Sequence, residues 1–353
     1  MVPQLARLLR GAMLAVWGVS ATGRLGAWPQ LGDAAGTLVP SGSSRDDDGS
    51  TSSNALSRFA WVSTLCGDSK YVPAIAVLGH SLQRANTTHD MVLLVTGKVA
   101  KERASLAQLQ QIGWKMHFVD PIVDSPFGHN STRYLCFSMK LSAFDLVEYE
   151  KIVLLDADTA VMQNADDLFE QYPRGPSAIA AAPNNRYPAV EVNSGVLVLK
   201  PSRETARGLV DHVRSGAVTE WDGADQGLIN QFFFGKIDYL PPFYNVMNTD
   251  LDSYTMNWLL RQHPTAIKIV HYVSNKPIFC GRDTHCIEGS GEVPSPFTIS
   301  YHDHWWRLYD SMAWQPRIVD VFGRTYGQVA NSTIEATAPA TLKFNFSIGK
   351  KRR

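Results

Sequence analysis

The sequence predicts an α/β fold in which a mostly parallel β-sheet is flanked by helices. Short apolar runs alternate with longer stretches whose apolar residues recur at helical spacing, an order typical of βαβ units. One apolar run, Ile152–Leu155, ends directly at two acidic residues. Because ligands of open α/β sheets bind outside the carboxyl ends of the strands, these acids also predict the position of the functional site.

The predicted elements alternate along the chain. Strands are predicted for the apolar runs Phe59–Leu65, Met91–Val95, Lys115–Val119, Ile152–Leu155, Ser194–Leu199 and Ile267–Tyr272. Helices are predicted where apolar residues have helical spacing, in Val72–Arg84, Lys101–Gln111, Ser138–Tyr149, Glu204–Arg214 and Ala224–Phe234. The aromatic residues of HDHWW are expected to pack as an amphipathic helix, with a second metal site as the alternative.

Composition places the chain among ordinary globular proteins. Its 353 residues are 44% hydrophobic, enough to bury the core of one large domain or two small ones. Lys plus Arg equals Asp plus Glu, at 33 each, so nothing indicates a nucleic-acid partner. The basic cluster Lys350–Arg353 is interpreted as a solvated tail, with a retrieval signal as the alternative.

The N-terminal residues predict a secretory signal. Arg7 and Arg10 precede an apolar run, Gly11–Val19, that small residues follow. The run is shorter than the roughly 20 residues that span a bilayer, so cleavage is favoured over a short signal anchor, and a transit peptide stays open. Gly36–Asn54 is rich in Ser, Gly and Asp and predicts disorder. We therefore divide the chain into a leader (1–22), a disordered linker (23–57), a folded domain (58–315) and a C-terminal tail (316–353).

Sequons and cysteines also indicate whether the chain enters the secretory pathway. Glycosylation sequons begin at Asn86, Asn130, Asn331 and Asn345, and together they favour the secretory pathway. Cys280 and Cys286 close a short loop and could form a disulfide in an oxidising lumen. Cys66 and Cys136 lie in apolar surroundings and are expected to be buried thiols.

The acids after Leu155 predict a metal site. Asp156 and Asp158 flank Ala157, so both side chains lean to the same side of an extended chain. Two close carboxylates repel each other unless a positive charge lies between them or nearby. Their hard oxygens suit Mg²⁺ or Mn²⁺. The structural alternative is that Asp158 caps the turn that follows.

Four further segments carry a resemblance to a known family. LLDADTAVMQNADDLFE, NSGVLVLKPS, DGADQGLIN and HYVSNKP resemble family 8 glycosyltransferases in order and spacing. KPIFCGRDTHC and HDHWWRLYDSM are similar to segments of the plant glycogenin-like xylan glucuronosyltransferases of that family. The resemblance extends from Phe59 to Met312. It implies a GT-A fold, with a Rossmann-like, mixed and mostly parallel sheet, that binds a nucleotide sugar through Mn²⁺ or, alternatively, Mg²⁺.

The resemblance also implies roles for single residues. The metal ligands would be Asp156, Asp158 and His271. Lys276 would contact the diphosphate, Lys140 the donor sugar, and Asp225 would assist at the reacting carbon. Other nucleotide-sugar contacts would come from Leu65, Tyr71, Arg133, Ala157, Asn193, Asp222 and Gln226, although Arg133 matches only after a two-residue shift. Structural alternatives stay open: solvated lysines at 140 and 276, a core aromatic at Tyr71 and a helix cap at Asp222.

These implications predict a retaining, Mn²⁺-dependent glycosyltransferase of the secretory pathway, with the Golgi lumen favoured over the ER, secretion or the cytosol. The donor would be UDP-glucuronate or UDP-glucose and the acceptor a glycan or glycolipid; a homodimer is left open. One alternative is a self-glucosylating, glycogenin-like primer, but Asp252 aligns with the tyrosine that glycogenin glucosylates. The other is a catalytically silent glycan-binding relative.

Overall fold

The computed structural model describes residues 58–67, 69–96, 99, 102–120, 132–184, 191–216, 225–249, 262–263, 266–283 and 296–328, without the side chains of 132–135. Its strands are β1 (Phe59–Leu65), β2 (Asp90–Thr96), β3 (Trp114–Val119), β4 (Lys151–Leu155), β5 (Thr159–Val161), β6 (Ile179–Pro183), β7 (Val192–Leu199), β8 (Ile237–Tyr239), β9 (Val246–Met247), β10 (Ile269–His271), β11 (Ile318–Val319) and β12 (Thr325–Tyr326). Its α-helices are α1 (Val72–Arg84), α2 (Arg103–Gln111), α3 (Thr132–Ser142), α4 (Asp167–Gln171), α5 (Arg203–Arg214), α6 (Asp225–Phe232), α7 (Pro277–Cys280) and α8 (Pro296–Asp310).

A seven-stranded mixed sheet is the centre of the fold. Its order is β3-β2-β1-β4-β7-β6-β8. The first four strands are parallel to one another, β7 is antiparallel to both β4 and β6, and β8 is parallel to β6. The predicted mostly parallel sheet is confirmed. Because Leu155 pairs with Val196, the carboxyl end of β4 lies beside the first residues of β7.

A second, three-stranded sheet brings a distant segment to the same edge. Its order is β5-β10-β9, and His271 pairs with Thr159 in an antiparallel register. The backbone N–H of Tyr272 donates to the carbonyl of Asp158 at 2.8 Å. The end of β10 therefore lies directly against the turn that follows β4.

Apolar side chains cover both faces of the large sheet. One face carries α1 and α8 and contains the fully buried Trp61 and Trp305. The other face is covered by α3, α5 and α6, with Phe144 and Leu209 among its buried residues. Burial of each such large side chain contributes about 1.5–3 kcal/mol to folding. The HDHWW residues lie in α8, where Trp306 is also buried, which confirms the amphipathic helix.

The predicted helix Ser138–Tyr149 is wrong in both bounds. The helix α3 begins at Thr132 and ends at Ser142, and a single 3₁₀ turn, Ala143–Asp145, follows it. The carbonyl of Phe144 accepts a hydrogen bond from the backbone N–H of Ser202 at 2.8 Å. That carbonyl would have to accept from within the helix if α3 continued, so a tertiary contact ends the helix early.

The expectation of free thiols at Cys66 and Cys136 is also wrong, because the two residues form a disulfide across a sequence separation of 70. The end of β1 lies beside α3, and the two Cα atoms are 5.3 Å apart, a distance that suits a disulfide. Cys280 is disulfide-bonded too, and its predicted partner, Cys286, lies outside the described residues.

The described chain continues past the predicted domain boundary at residue 315. Strands β11 and β12 pair as an antiparallel hairpin, and the N–H of Val321 in its turn donates to the carbonyl of Phe279 at 2.8 Å. The predicted leader and linker, the rest of the tail, and the sequons at Asn130, Asn331 and Asn345 lie outside the described residues. Among the described helices, none has the length and apolar character needed to cross a bilayer.

Candidate functional site

Three side chains from two sheets meet at the carboxyl end of β4. Asp156 directly follows β4, Asp158 directly precedes β5, and His271 is the last residue of β10. One ligand atom from each lies within 4.8 Å of the others. The Nε2 atom of His271 is 3.3 Å from Oδ1 of Asp158 and 3.7 Å from Oδ2 of Asp156. Because a strand and not a helix follows Asp158, the alternative that this residue is a helix cap is wrong.

Two asparagines orient the His271 ring. Its Nδ1 atom lies 3.2 Å from the side-chain oxygens of both Asn193 and Asn245. The N–H of Gly195 donates to the same Asn193 oxygen at 2.9 Å, which fixes that oxygen as an acceptor. Since both oxygens accept, Nδ1 carries the proton and the lone pair of Nε2 faces the two acids. A histidine held in this tautomer fits a divalent metal.

Gly195 makes the close approach of the histidine possible. A Cβ atom at this position would lie 2.2 Å from Cε1 of His271. The carbonyl of Gly195 accepts from the N–H of Asp156 at 2.9 Å. One residue of β7 therefore contacts the backbone of one metal-ligand candidate and leaves space for the ring of another.

The candidate metal ligands Asp156, Asp158 and His271 are here called the metal cluster. Lys140 links this cluster to the predicted catalytic acid. Its Nζ atom lies 2.5 Å from Oδ1 of Asp156 and also contacts Asp225, at the start of α6. The side chain is 13% exposed, so the alternative of a solvated lysine is wrong. Burial alone would lower the pKa of Lys140, but the carboxylates of Asp156 and Asp225 raise it above its ordinary value. The ammonium therefore stays charged.

The pKa values of the carboxylates depend on the same contacts with Lys140. Burial opposes ionisation of Asp225, but Lys140 and a hydrogen bond from Ser194 hold its pKa below the ordinary value. Burial raises the pKa of Asp156, and the neighbouring carboxylates raise it further against the charge of Lys140. A partly buried group of three carboxylates beside two lysines retains excess negative charge, which suits a cation.

Lys276 is the second lysine. Its ammonium contacts Asp158 and donates to the carbonyls of Tyr272 and Val273 at 3.0 and 3.3 Å. Burial lowers the pKa of Lys276, but Asp158 raises it above its ordinary value overall. Its side chain is 20% exposed, so the alternative of a surface lysine is wrong here as well.

The structure describes some of the remaining predicted site residues fully and others only in part or not at all. Tyr71 ends a 3₁₀ turn just before α1, half-buried, with its ring edge-to-face against Phe279 at 5.7 Å. The side chain of Leu65 is fully buried, so only its backbone can face a ligand, and Ala157 is half-buried in the turn after β4. Arg133 lies in α3, but its side chain and the whole of Asp222 are outside the described residues.

Asn193 and Gln226 lie behind the metal cluster. The amide nitrogen of Asn193 donates to the Gln226 oxygen at 3.0 Å, and its oxygen also accepts from Asn245 at 2.8 Å. The Asn193 amide is therefore engaged around His271, and its predicted sugar contact stays a prediction. Sequence reasoning missed Asn245 and Gly195 as site residues. The available signal for Asn245 was a polar residue directly before the short apolar strand β9.

Comparison with known proteins adds an independent line of evidence. A family model described as Glycosyl transferase family 8 matches residues 63–277. The chain is 31% identical over 261 residues to a putative UDP-glucuronate:xylan alpha-glucuronosyltransferase 5 of Arabidopsis thaliana, covering 74% of this chain and 44% of the relative. It is 33% identical over 262 residues to glycogenin-1 of Caenorhabditis elegans, covering 69% and 56%. The chain thus spans about half the length of these curated relatives.

Solved structures agree on the fold. The bifunctional glycosyltransferase WbbM matches with a TM-score of 0.55 and 18% identity, over 73% of this chain and 50% of that one. The galactosyltransferase LgtC, solved with donor and acceptor sugar analogues, matches with a TM-score of 0.50 and 19% identity, over 73% and 97%. The family match begins within β1 and ends just after Lys276, so it includes the whole metal cluster. The chain belongs to glycosyltransferase family 8 and has a GT-A fold.

Proposed function

We propose that the protein is a retaining glycosyltransferase that transfers a hexose or hexuronate from a UDP-sugar to a glycan or glycolipid. The observation that carries the proposal is the cluster of buried His271 and partly buried Asp156 and Asp158, linked through Lys140 to Asp225. With Asp225, the cluster has three carboxylates against the two ammonium groups of Lys140 and Lys276, and this excess negative charge favours the binding of a further cation.

The metal of the proposal is Mn²⁺, with Mg²⁺ as the alternative. Two carboxylates and an imidazole nitrogen suit Mn²⁺ better than Mg²⁺, which prefers oxygen ligands alone. When bound, the ion would supply positive charge to the diphosphate of the donor. The ligands would be Asp156, Asp158 and His271, whose ring Asn193 and Asn245 hold in the required tautomer.

The residues around the cluster would divide the remaining work. Lys276, charged and close to Asp158, would stabilise the negative charge on the diphosphate as the bond to the sugar breaks and UDP departs. Asp225, kept ionised by Lys140, would stabilise positive charge on the anomeric carbon or attack it as a transient nucleophile. Lys140 would orient Asp225 and hydrogen-bond the sugar.

Two UDP-sugars are candidate donors. UDP-glucuronate is named for the Arabidopsis relatives, and UDP-glucose stays the second candidate from the resemblance of the sequence motifs to glycogenin. We favour transfer to a separate glycan or glycolipid. Asp252, which stands in place of an acceptor tyrosine, supports this choice from the sequence and lies outside the described residues.

The proposed location is the secretory pathway, with the Golgi lumen as the favoured compartment. Disulfides persist in oxidising compartments and are rare in the cytosol. The Cys66–Cys136 bond and the disulfide-bonded state of Cys280 therefore support this location.

A donor panel tests the proposal. UDP release is measured with UDP-glucuronate, UDP-glucose and other UDP-sugars, in Mn²⁺, in Mg²⁺ and in a chelator, with Asp158→Asn as the matched inactive control. We expect turnover of at least one donor in Mn²⁺ that the chelator abolishes. Failure of every donor would contradict the proposal. Intact mass after incubation with UDP-glucose identifies a primer, because hexoses would then add to the protein itself.

A further inference from the structure

Residues 277–283, here called the bridging segment, connect Lys276 to the C-terminal part of the described chain. The segment begins with α7, for which Lys276 is the N-terminal cap residue. A shift of this short helix would therefore move the backbone that carries Lys276, whose ammonium contacts Asp158. Phe279, in the same helix, packs edge-to-face against Tyr71. The bridging segment thus reaches both Lys276 and Tyr71, on which the proposed nucleotide site depends.

The C-terminal residues hold the bridging segment by its backbone. The N–H of Val321 donates at 2.8 Å, the indole N–H of Trp306 at 2.7 Å and the guanidinium of Arg324 at 3.3 Å. Val321 donates to the carbonyl of Phe279, Arg324 to that of Cys280 and Trp306 to that of Gly281. The three acceptors are consecutive along the chain. Three successive anchored carbonyls leave the backbone of this segment little freedom to shift.

Gly281 is the point of closest approach between the segment and the hairpin. Its φ angle is +60°, and a Cβ atom would lie 2.3 Å from Oδ2 of Asp320 and 2.7 Å from the hydroxyl of Tyr326. Asp320 cannot easily give way. Its inaccessible side chain accepts from the N–H of Phe322 at 2.9 Å and from the N–H and Nε of Arg324 at 2.8 and 2.6 Å.

We infer that the β11–β12 hairpin and Trp306 position Lys276 and Tyr71 for the nucleotide, with Gly281 as the contact through which they act. The inference rests on the proposed function in one respect, that the nucleotide is the UDP of the donor. The hairpin lies outside the residues that the family model matches. Displacing the bridging segment would move a charge and a ring that act on bound UDP, in the ground state as well as during transfer.

Two glycines of the chain provide a pair of variants. Gly281→Ala places a methyl group against Asp320, whereas Gly323→Ala, in the hairpin turn, places one where nothing lies within 4 Å. Both residues have a positive φ, +60° and +77°, but the ψ of Gly281 is −142°, a combination that essentially only glycine adopts. Gly281→Ala therefore adds backbone strain to the contact, and a variant that leaves the backbone unchanged is needed to test the contact alone. Trp306→Phe, which removes the donor to Gly281 and keeps a smaller aromatic ring at this position, is the second test variant.

Calorimetry with UDP and Mn²⁺ and steady-state kinetics report on the site. We expect Gly281→Ala to weaken UDP binding and to raise the donor KM about tenfold or more, with kcat changed only a few-fold. Trp306→Phe should act in the same direction, and Gly323→Ala should leave both quantities unchanged. Equal UDP affinity in the two glycine variants would overturn the inference, as would an affinity loss that merely follows a lower Tm.

Hydrogen exchange of the ligand-free protein gives a readout that does not require activity. Gly281→Ala should increase exchange in residues 69–73 and 271–280, and Gly323→Ala should not. If the two variants exchange alike in these segments, the hairpin does not position the site. If the wild-type protein fails to bind UDP while the exchange difference is present, the proposed function is contradicted and the positioning contact stands.

Discussion

At the scale of single residues, the metal cluster depends on groups that would not bind the metal themselves. Asn193 and Asn245 fix the protonated nitrogen of His271, and Gly195 supplies the space for its ring. Such supporting contacts commonly alter metal affinity by 10–100-fold when they are removed. A substitution at Gly195, which has no side chain, should therefore change the metal affinity of the cluster.

Gly195→Ala is expected to reduce Mn²⁺ affinity about tenfold or more, because the new methyl group would displace His271. Over-packing of this buried position should also cost about 1–3 kcal/mol of stability. A Mn²⁺ titration followed by calorimetry measures the affinity. Gly208→Ala in α5 adds the same methyl group beside Phe232, away from the cluster, and is the control. Unchanged Mn²⁺ affinity in Gly195→Ala would show that His271 is not a ligand.

Asp225 and Lys276 should differ in which quantity they change. Asp225→Asn is expected to leave UDP affinity nearly intact while kcat falls a hundredfold or more, a loss of about 3 kcal/mol of transition-state stabilisation. Lys276→Ala should weaken UDP binding as well as transfer, because its charge attracts the diphosphate throughout the reaction. Calorimetry for UDP and steady-state kinetics on both variants separate the two effects. If Asp225→Asn abolishes UDP binding and Lys276→Ala does not, the assigned roles are reversed.

At the scale of elements, α3 is joined to the edge of the sheet in two places. Cys136 is bonded to Cys66 at the end of β1, and Lys140, one turn further along the helix, contacts Asp156. Residues four apart lie on the same helix face, so the covalent link and the ion pair act side by side. The disulfide therefore stabilises the helix that carries Lys140.

Removing this disulfide should destabilise the domain. For the loop that it closes, with a sequence separation of 70, chain entropy gives a loss of about 4 kcal/mol. Denaturant unfolding of the Cys66→Ala, Cys136→Ala double variant against oxidised wild type measures the difference. In a reductant, which also opens the disulfide of Cys280 in both proteins, wild type and the double variant should have the same stability. A difference that persists there would mean that the substitutions act through packing and not through the disulfide.

The success of sequence reasoning also varies by element. The bounds of α1 were predicted correctly, because its apolar spacing is regular over Val72–Arg84. The strand β6 was missed, since IAAAP is rich in alanine and lacks the β-branched alternation of a strand. The hairpin was missed because its strands have two residues each and are held by contacts to Gly281 and its neighbours.

The same limit applies to the candidate site. Asp156 and Asp158 could be located because a strand end is visible in the sequence as the end of an apolar run. The role of Gly195 depends on the register between Leu155 and Val196, and local sequence does not encode which strands become neighbours. The Cys66–Cys136 pair was missed for the same reason.

At the scale of the whole molecule, the sheet separates the site from the sequon at Asn86. The metal cluster lies at the carboxyl ends of the strands, whereas Asn86 follows α1 and precedes β2, at the opposite edge. Asn86 is exposed, with a φ of +56°, and its backbone N–H donates to the carbonyl of Gln83 at 3.0 Å. A glycan at this position would extend away from the cluster.

We therefore expect Asn86 to carry an N-glycan when the chain passes through the secretory pathway, without an effect on transfer. Asn86→Gln and Thr88→Ala each destroy the sequon, so both should increase gel mobility by the same single-glycan step while kcat and KM stay at wild-type values. The side chain of Thr88 is exposed, and its backbone bond to Asp166 survives the substitution, so folding should be unaffected. If glycosidase treatment leaves the mobility of wild type unchanged, the secretory route itself is contradicted. If treatment shifts wild type and Asn86→Gln to the same extent, the chain is lumenal and its glycans lie on other sequons, because Asn86 is then unmodified.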